Sequence, residues 1–354
     1  MKNNIHSLSR KHILQLQPYK SARSIGGKGD VWLNANEVPM SKKFFLHQYV
    51  FNRYPEFQSK KLLDYYATYA NVKIENILIS RGADEAIDLL MKVFCIPNKE
   101  CIMTFPPTYT MYSKIAEIYN IKNISINMLD NFSLDIQSLK LNLHLVKLIY
   151  ICRPNNPTGH IFNIKDIIII LEMTVGKSIV VIDEAYIEFC LENTLIFLLS
   201  KYSHMVILRT LSKSFGLAGI RCGFAIAHKD IIDLLKKVIA PYPLSSPTID
   251  IAIQALEPSN IACMKQNILQ IQKNKIWLLK ELKYIHVVQK IFSTSTNYVL
   301  VKFFRSDFVF QKLWDQGIIV RNQNHEKTLK GCIRISIGNK TECIKLIIAL
   351  KNII

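Results

Sequence analysis

No stretch of this chain approaches the roughly 20 consecutive apolar residues that a bilayer crossing needs. The longest candidates, such as Ile167 to Leu171, are short and bracketed by Asp166 and Glu172. The opening segment, MKNNIHSLSRKHILQ, alternates charged and apolar side chains and lacks a signal-peptide core. Both absences point to a soluble, cytosolic protein. Cys-x-x-Cys pairs are missing as well, and no Cys/His cluster has zinc spacing. The eight cysteines therefore read as reduced thiols, several in apolar surroundings, as at Cys101 and Cys190. A metal centre is not expected. Internal repeats, low-complexity tracts and obvious linkers are also lacking, which excludes solenoids and tethered modules.

Acidic residues are scarce. Against 45 Lys and Arg there are 27 Asp and Glu, a net charge of +18. Such a surplus raises nucleic acid as a partner. The lysines, however, are dispersed, and no basic stripe carries interleaved aromatics. Neither nucleic acid nor membrane is expected; the positive field suits small anionic substrates instead.

What is present is a chain of 354 residues, 49% hydrophobic, long enough for one large core and one smaller one. From about residue 74, short apolar runs alternate with longer periodic stretches. The runs are Ile77–Ile79, Cys101–Phe105, Leu148–Ile151, Ile179–Ile182 and Met205–Leu208. Continuous apolar strands with helical connections predict an α/β domain with a mostly parallel sheet covered by helices on both faces. After about residue 247 the pattern changes to one long helix, roughly Asp250–Leu282. Strands Tyr298–Phe303, Ile318–Arg321 and Cys332–Ile337 and a terminal helix follow, as in a smaller α+β domain. The proline-rich loop at 240–247 is the expected joint, dividing a large domain (41–247) from a small one (248–354).

In a parallel sheet, ligands bind at the carboxyl ends of the strands, and those ends carry the notable residues. Met205–Leu208 leads into Arg-Thr-Leu-Ser-Lys-Ser-Phe-Gly, with Thr210, Ser212 and Lys213 in the turn and Arg221 eight positions on. A lysine just after a buried strand is costly to desolvate unless used. Desolvation lowers its pKa, which suits an amine that condenses with an aldehyde. Ser212, Thr210 and Arg221 supply donors and charge for a phosphate. Asp183 ends the run Ile179–Ile182 with Tyr186 three residues on, and a carboxylate there suits a pyridinium N–H. Asn156 is held in the rigid turn Pro154-Asn-Asn-Pro-Thr-Gly159. Ser80-Arg-Gly-Ala-Asp-Glu85 exposes amides at a helix start, a phosphate seat around Ala83 and Asp84. Tyr109 lies just past a strand end, where its ring can stack on a planar group. Taken singly, each has an ordinary alternative: a surface lysine, a metal-binding or capping Asp, a generic turn, a core tyrosine.

Taken together and in order, Asn156, Asp183, Tyr186, Lys213 and Arg221 resemble the fold-type-I pyridoxal-phosphate aminotransferases. Within them, the match is best to the branch acting on histidinol phosphate. It extends from about residue 17 to 338, through Gln17-Pro-Tyr-Lys-Ser-Ala-Arg23, Asn52-Arg-Tyr-Pro-Glu56, Ala240-Pro-Tyr-Pro-Leu-Ser-Ser-Pro247 and Ile333-Arg-Ile-Ser-Ile-Gly338. The resemblance implies pyridoxal 5'-phosphate as cofactor, bonded covalently to Lys213, with Asp183 on its ring nitrogen. It implies that Asn156 and Tyr186 bond the ring's phenolic oxygen and that Tyr109 stacks on the ring. Thr210, Ser212, Arg221 and the amides of Ala83 and Asp84 hold the phosphate. Tyr54 is expected to reach the cofactor of a second subunit in a two-fold homodimer, with residues 1–40 as an arm joining the small domain and the interface. Tyr19, Arg321 and Arg334 are expected to bind substrate. The implied reaction moves an amino group from histidinol phosphate to 2-oxoglutarate, giving glutamate, a step of histidine biosynthesis. Three other readings stay open: an aromatic or branched amino donor, a related phospho-amino-acid decarboxylase, or a binding protein with a degenerate site. One departure stands out: Arg153 precedes the PNNPTG string where relatives carry a small or uncharged residue, and it is expected to point away from the cofactor.

Overall fold

A computed structural model of the chain describes residues 5–19, 21–23, 26–46 and 51–353. Lys20 of the Gln17–Arg23 motif lies outside the described residues. The strands are β1 (Val31–Trp32), β2 (Ile77–Ser80), β3 (Cys101–Thr104), β4 (Lys122–Ser125), β5 (Val146–Cys152), β6 (Ile179–Asp183), β7 (Met205–Thr210) and β8 (Gly223–Ala227). The later ones are β9 (Val288–Ile291), β10 (Tyr298–Phe303), β11 (Ile318–Ile319), β12 (Arg321–Asn322) and β13 (Cys332–Ser336).

Seven strands form one sheet in the order β2-β8-β7-β6-β5-β3-β4. Its continuous apolar strands are explained by helices on both sides. Ile149, Ile182 and Ile207 face one core, with the helices Lys60–Ala70, Ile164–Thr174 and Ser246–Ala255. Leu148, Val181 and Val206 face the other, with Gly82–Phe94, Met111–Tyr119 and Lys229–Lys236. Only β8 runs antiparallel to its neighbours, pairing with β2 on one side and β7 on the other. Two reversals cancel, so β2 points the same way as β3 and β5–β7. Ser80, Thr104, Cys152, Asp183 and Thr210 thus all end at one edge of the sheet. That is the geometric reason five separated motifs meet.

A second sheet, β12-β13-β10-β9, packs with the helices Pro258–Leu282 and Lys340–Lys351 around its own core. Two expectations for this part need correction. The helix expected over 250–282 is two helices, because Glu257 is extended (φ −65°, ψ 146°) and Pro258 opens the second. Proline lacks the N–H to continue a helix but suits its first position. The strand expected over 318–321 is split between sheets. Ile318–Ile319 pairs parallel with β1, while Arg321 pairs with Arg334 of β13. The strands β4 and β8 were not among the expected runs; β4 is partly exposed and reads KNIS, too polar to stand out.

Beneath the strand ends, Arg209 and Glu184 form an ion pair at 2.9 Å, 3% and 0% exposed. Glu184 also accepts from Thr194 Oγ1 (2.9 Å) and Leu195 N–H (2.7 Å). Both groups are buried, so removing Glu184 takes from Arg209 its bonded carboxylate and leaves it only the nearby charge of Glu188. Glu184→Gln is expected to cost about 3–5 kcal/mol of stability, read from the shift of the urea midpoint. A loss under about 1 kcal/mol would mean that water reaches the pair.

Candidate active site

A cleft of about 300 Å³ opens where the strand ends meet the second sheet. It is lined by Tyr19, Ala83, Asp84, Tyr109, Asn156, Asp183, Tyr186, Thr210, Ser212, Lys213, Arg221, Arg321 and Arg334. Every expected site residue except Tyr54 is therefore in one place. Tyr54 is 80% exposed and stacks on Tyr242, ring centroids 4.3 Å apart.

At one end the backbone forms an anion seat. Gly82 has φ +74°, and a Cβ there would come within 2.8 Å of Arg221 Nη2. Gly223 lies so close to this turn that a Cβ would sit 2.6 Å from Ala83 N. Two bare backbones thus bring the start of the helix Gly82–Phe94 up to Arg221 and the Lys213 turn. The N-cap residue Arg81 makes no side-chain cap, and Glu85 Oε2 accepts from the Arg81 N–H (2.6 Å), so the amides that follow are left for a ligand. Arg221 donates to Ser212 Oγ (3.2 Å) and pairs with Asp84 (3.4 Å). Thr210 Oγ1 accepts from Ser212 N–H at 3.1 Å, holding the turn.

At the floor, Asp183 is 2% exposed. Its Oδ1 accepts from Ala185 N–H (3.0 Å) and its Oδ2 from the Tyr112 hydroxyl (2.6 Å). Burial pushes its pKa up to about 6, against the lowering effect of those two bonds. A cation brought to this carboxylate reverses that shift. Lys213 Nζ donates to Ala35 O (3.3 Å) and lies 5.5 Å from the Tyr186 ring centre. Burial, and then the Arg334 charge, bring its pKa down to about 8. Tyr186 is held by Asn36 Nδ2, which donates to its hydroxyl at 2.9 Å.

Arg334 of β13 turns to the cleft and Ser336, on the same face, bonds Asn36, while Ile333, Ile335 and Ile337 enter the small core. Arg334 donates from Nη1 to Asn156 Oδ1 (2.6 Å) and from Nη2 to Asn34 O (2.7 Å). Its Nε is buried with no partner, an orphan donor at the wall of the cleft. Arg321, on the neighbouring β12, lies near enough to Arg334 for the two charges to repel. Two guanidinium groups on adjacent strands make a seat for a second anion.

Arg153 does not line the cleft. Its Nε donates to Phe162 O (2.9 Å) and its Nη1 to Asn193 O, on the far side of the turn. The expectation for it holds. Sequence reasoning missed Asn36, Tyr112, Cys152, Gln323 and His325, which touch the site or its residues. Asn36 sits in Leu33-Asn-Ala-Asn, where two asparagines flanking an alanine in an apolar segment were the only available signal.

The residues fit pyridoxal phosphate. The anion seat, the buried carboxylate lacking a bonded cation and the lysine of lowered pKa match its phosphate, its ring nitrogen and its aldehyde in turn.

The comparisons agree with this geometry. Residues 30–350 match the family model described as aminotransferase class I and II. A histidinol-phosphate aminotransferase of Buchnera aphidicola subsp. Schizaphis graminum is 52% identical over 355 aligned positions, covering 100% of both chains. One from Escherichia coli O17:K52:H18 is 51% identical, covering 98% of each. The structure of histidinol-phosphate aminotransferase from Sinorhizobium meliloti in complex with pyridoxal-5'-phosphate superposes with a TM-score of 0.85. That match has 20% identity and covers 98% of this chain and 97% of the other, a likeness of fold.

Proposed function

Because this chain belongs to the class I and II aminotransferases, we propose that it transfers the amino group of L-histidinol phosphate to 2-oxoglutarate, with pyridoxal 5'-phosphate as cofactor. The products are imidazole-acetol phosphate and L-glutamate, in L-histidine biosynthesis. The observation that carries this reading is one cleft holding Lys213 and two anion seats, Arg221 with Ser212 and Arg334 with Arg321. A cofactor and a substrate that are both phosphate esters need two such seats.

The bound cofactor supplies an aldehyde that bonds to a primary amine and a protonated ring that accepts electrons when a Cα–H bond breaks. Ser212, Arg221, Thr210 and the amides of Ala83 and Asp84 hold its phosphate, and Asp183 keeps its ring nitrogen charged. Asn156 presents its amide NH2, since its Oδ1 is taken by Arg334. With Tyr186 it steadies the phenolic oxygen, while Tyr109 covers the ring. Lys213 Nζ would take up the proton that leaves the substrate's Cα and deliver it to the cofactor carbon that bears the amino nitrogen. A pKa near 8 leaves part of the lysine unprotonated at neutral pH, as a general base requires. Tyr19, Arg321 and Arg334 hold the substrate phosphate, and later the distal carboxylate of 2-oxoglutarate.

The same reading makes the enzyme a cytoplasmic homodimer. Phe45, Phe51, Tyr54 and Tyr242 are large apolar side chains left in water, 79%, 70%, 80% and 47% exposed. A partner subunit would cover them and receive Tyr54 at its cofactor phosphate. All eight cysteines are unpaired thiols, a state that a reducing compartment maintains.

Spectral titration of the cofactor-loaded enzyme across amine donors tests the substrate. Histidinol phosphate should bleach the visible band at concentrations at least about 100-fold below phenylalanine or leucine, since a buried phosphate contact is worth several kcal/mol. If phenylalanine or leucine bleaches it and histidinol phosphate does not, the donor is wrong. Release of carbon dioxide from a phospho-amino acid would instead favour a decarboxylase.

A further inference from the structure

Beneath the floor of the cleft, behind Asp183, lies a residue that the reaction as described above does not use. Tyr112, the second residue of the helix Met111–Tyr119, is 0% exposed. Its hydroxyl reaches Asp183 Oδ2 at 2.6 Å. The ring is fixed on two sides, stacked on Tyr150 (centroids 4.7 Å apart, 13° between planes) and edge-on to Tyr109 (5.6 Å, 87°). Tyr150 is on β5, beside Asp183's own strand, so the phenol is aimed by the sheet.

We propose that Tyr112 is a positioning residue for this reaction: its phenol proton, held on Asp183 Oδ2, keeps that carboxylate ionised and thereby keeps the proton of the pair on the cofactor's ring nitrogen. The inference rests on the reading of Asp183 as the partner of that nitrogen.

The physical chain is short. A carboxylate oxygen has two acceptor sites, so Asp183 can bond Tyr112, Ala185 N–H and one further donor. In a buried site the proton between a carboxylate and a pyridine nitrogen goes to whichever is more basic. Each donor on the carboxylate lowers its basicity and leaves the proton on the ring. Ala185 N–H alone is a neutral backbone donor at 3.0 Å; the phenol is shorter and points at the other oxygen. Tyr112 cannot become an acceptor-only phenolate in the working range, because burial and the adjacent Asp183 charge hold its pKa well above the ordinary value. Cys152, Asp84 and Lys213 also face this pair, as do the phenols Tyr109, Tyr150 and Tyr186, which burial keeps protonated. The Cys152 thiol donates to Pro154 O and is itself kept protonated by burial, so it does not substitute for the phenol.

Tyr112→Phe removes the hydroxyl and keeps the stacked ring. The test loads the full-length enzyme with ring-15N pyridoxal phosphate and reads the nitrogen's chemical shift, with kcat and KM for histidinol phosphate alongside. Wild type should show a pyridinium shift. Tyr112→Phe should move it toward neutral pyridine and lower kcat by about 10- to 100-fold, the worth of a hydrogen bond to a charged group, with KM little changed. Site-specific 3,5-difluorotyrosine at position 112, a more acidic phenol that retains the bond, should move the shift the opposite way. It serves equally if the Phe variant does not fold. Asp183→Asn is the reference: it must move the shift whether or not Tyr112 matters. If Asp183→Asn moves the shift and neither change at 112 does, the Tyr112 proposal is overturned. If Asp183→Asn leaves it unmoved, the pairing of Asp183 with the ring is what fails.

Discussion

Lys213→Ala is expected to reduce turnover by at least about 10,000-fold, because one amine serves as both covalent anchor and general base. Borohydride should fix the cofactor irreversibly to wild-type enzyme at the peptide carrying Lys213 and leave the variant unlabelled. The variant should still bind pyridoxal phosphate, more weakly, since the anion seat and Asp183 are untouched. Label appearing on another lysine, or activity within a hundredfold of wild type, would remove the assignment. The cofactor-free proteins should differ in the reverse sense. Burial, followed by the charge of Arg334, lowers the Lys213 pKa from 10.5 to about 8. Between these values the unfolded chain binds a proton that the folded chain does not, so wild-type stability rises with pH across that window. Below pH 8 the full penalty of a desolvated ammonium is present. The alanine variant should therefore be the more stable apoprotein at pH 7, by up to about 2–3 kcal/mol, with the gap closing toward pH 10.5. Chemical denaturation at pH 7 and pH 10 reads this directly.

Arg334→Lys is expected to raise KM for histidinol phosphate and for 2-oxoglutarate together, each by about 30- to 1,000-fold, as for loss of a buried charge-assisted pair. The charge survives in this variant, but the planar fork does not. Arg334 spends one N–H of each terminal nitrogen on Asn156 and Asn34 and leaves Nε unpartnered. A lysine cannot hold those two acceptors and still meet an anion in the plane. Asn156 also loses its partner, so a modest change in the visible spectrum should accompany the rise in KM. The informative result is the pairing of the two substrates. If KM rises for one and not the other, the two anions do not share this seat, and the dual-substrate reading of Arg334 is wrong.

The chemistry was legible in the sequence wherever a residue follows directly on a buried strand. Lys213, Asp183 and Asn156 each come at or just after an apolar run, and a parallel sheet puts all such ends on one edge. Arg334 was expected at the site from the resemblance; the alternation with its isoleucine neighbours leaves it free to face the cleft without marking it. The expectation that Arg153 points away came from its departure from the family's usual residue before the PNNPTG string.

Local pattern did less well where one run serves two partners. Ile318–Arg321 looks like a single strand, yet its halves pair with β1 and β13, at residues 31 and 334. The helix over 250–282 failed differently, since its apolar spacing continues through Pro258 while the backbone breaks there.

By itself, then, the order of residues determined which side chains stand at the mouth of the sheet, because burial of a strand and exposure of its end are properties of a few consecutive positions. Tertiary structure alone decided what those side chains bond: Tyr112 on Asp183, Asn36 on Tyr186, Arg334 on Asn156. These partners lie 71, 150 and 178 positions apart. The reason is physical: a hydrophobic period records that a face is covered and carries no information about what covers it.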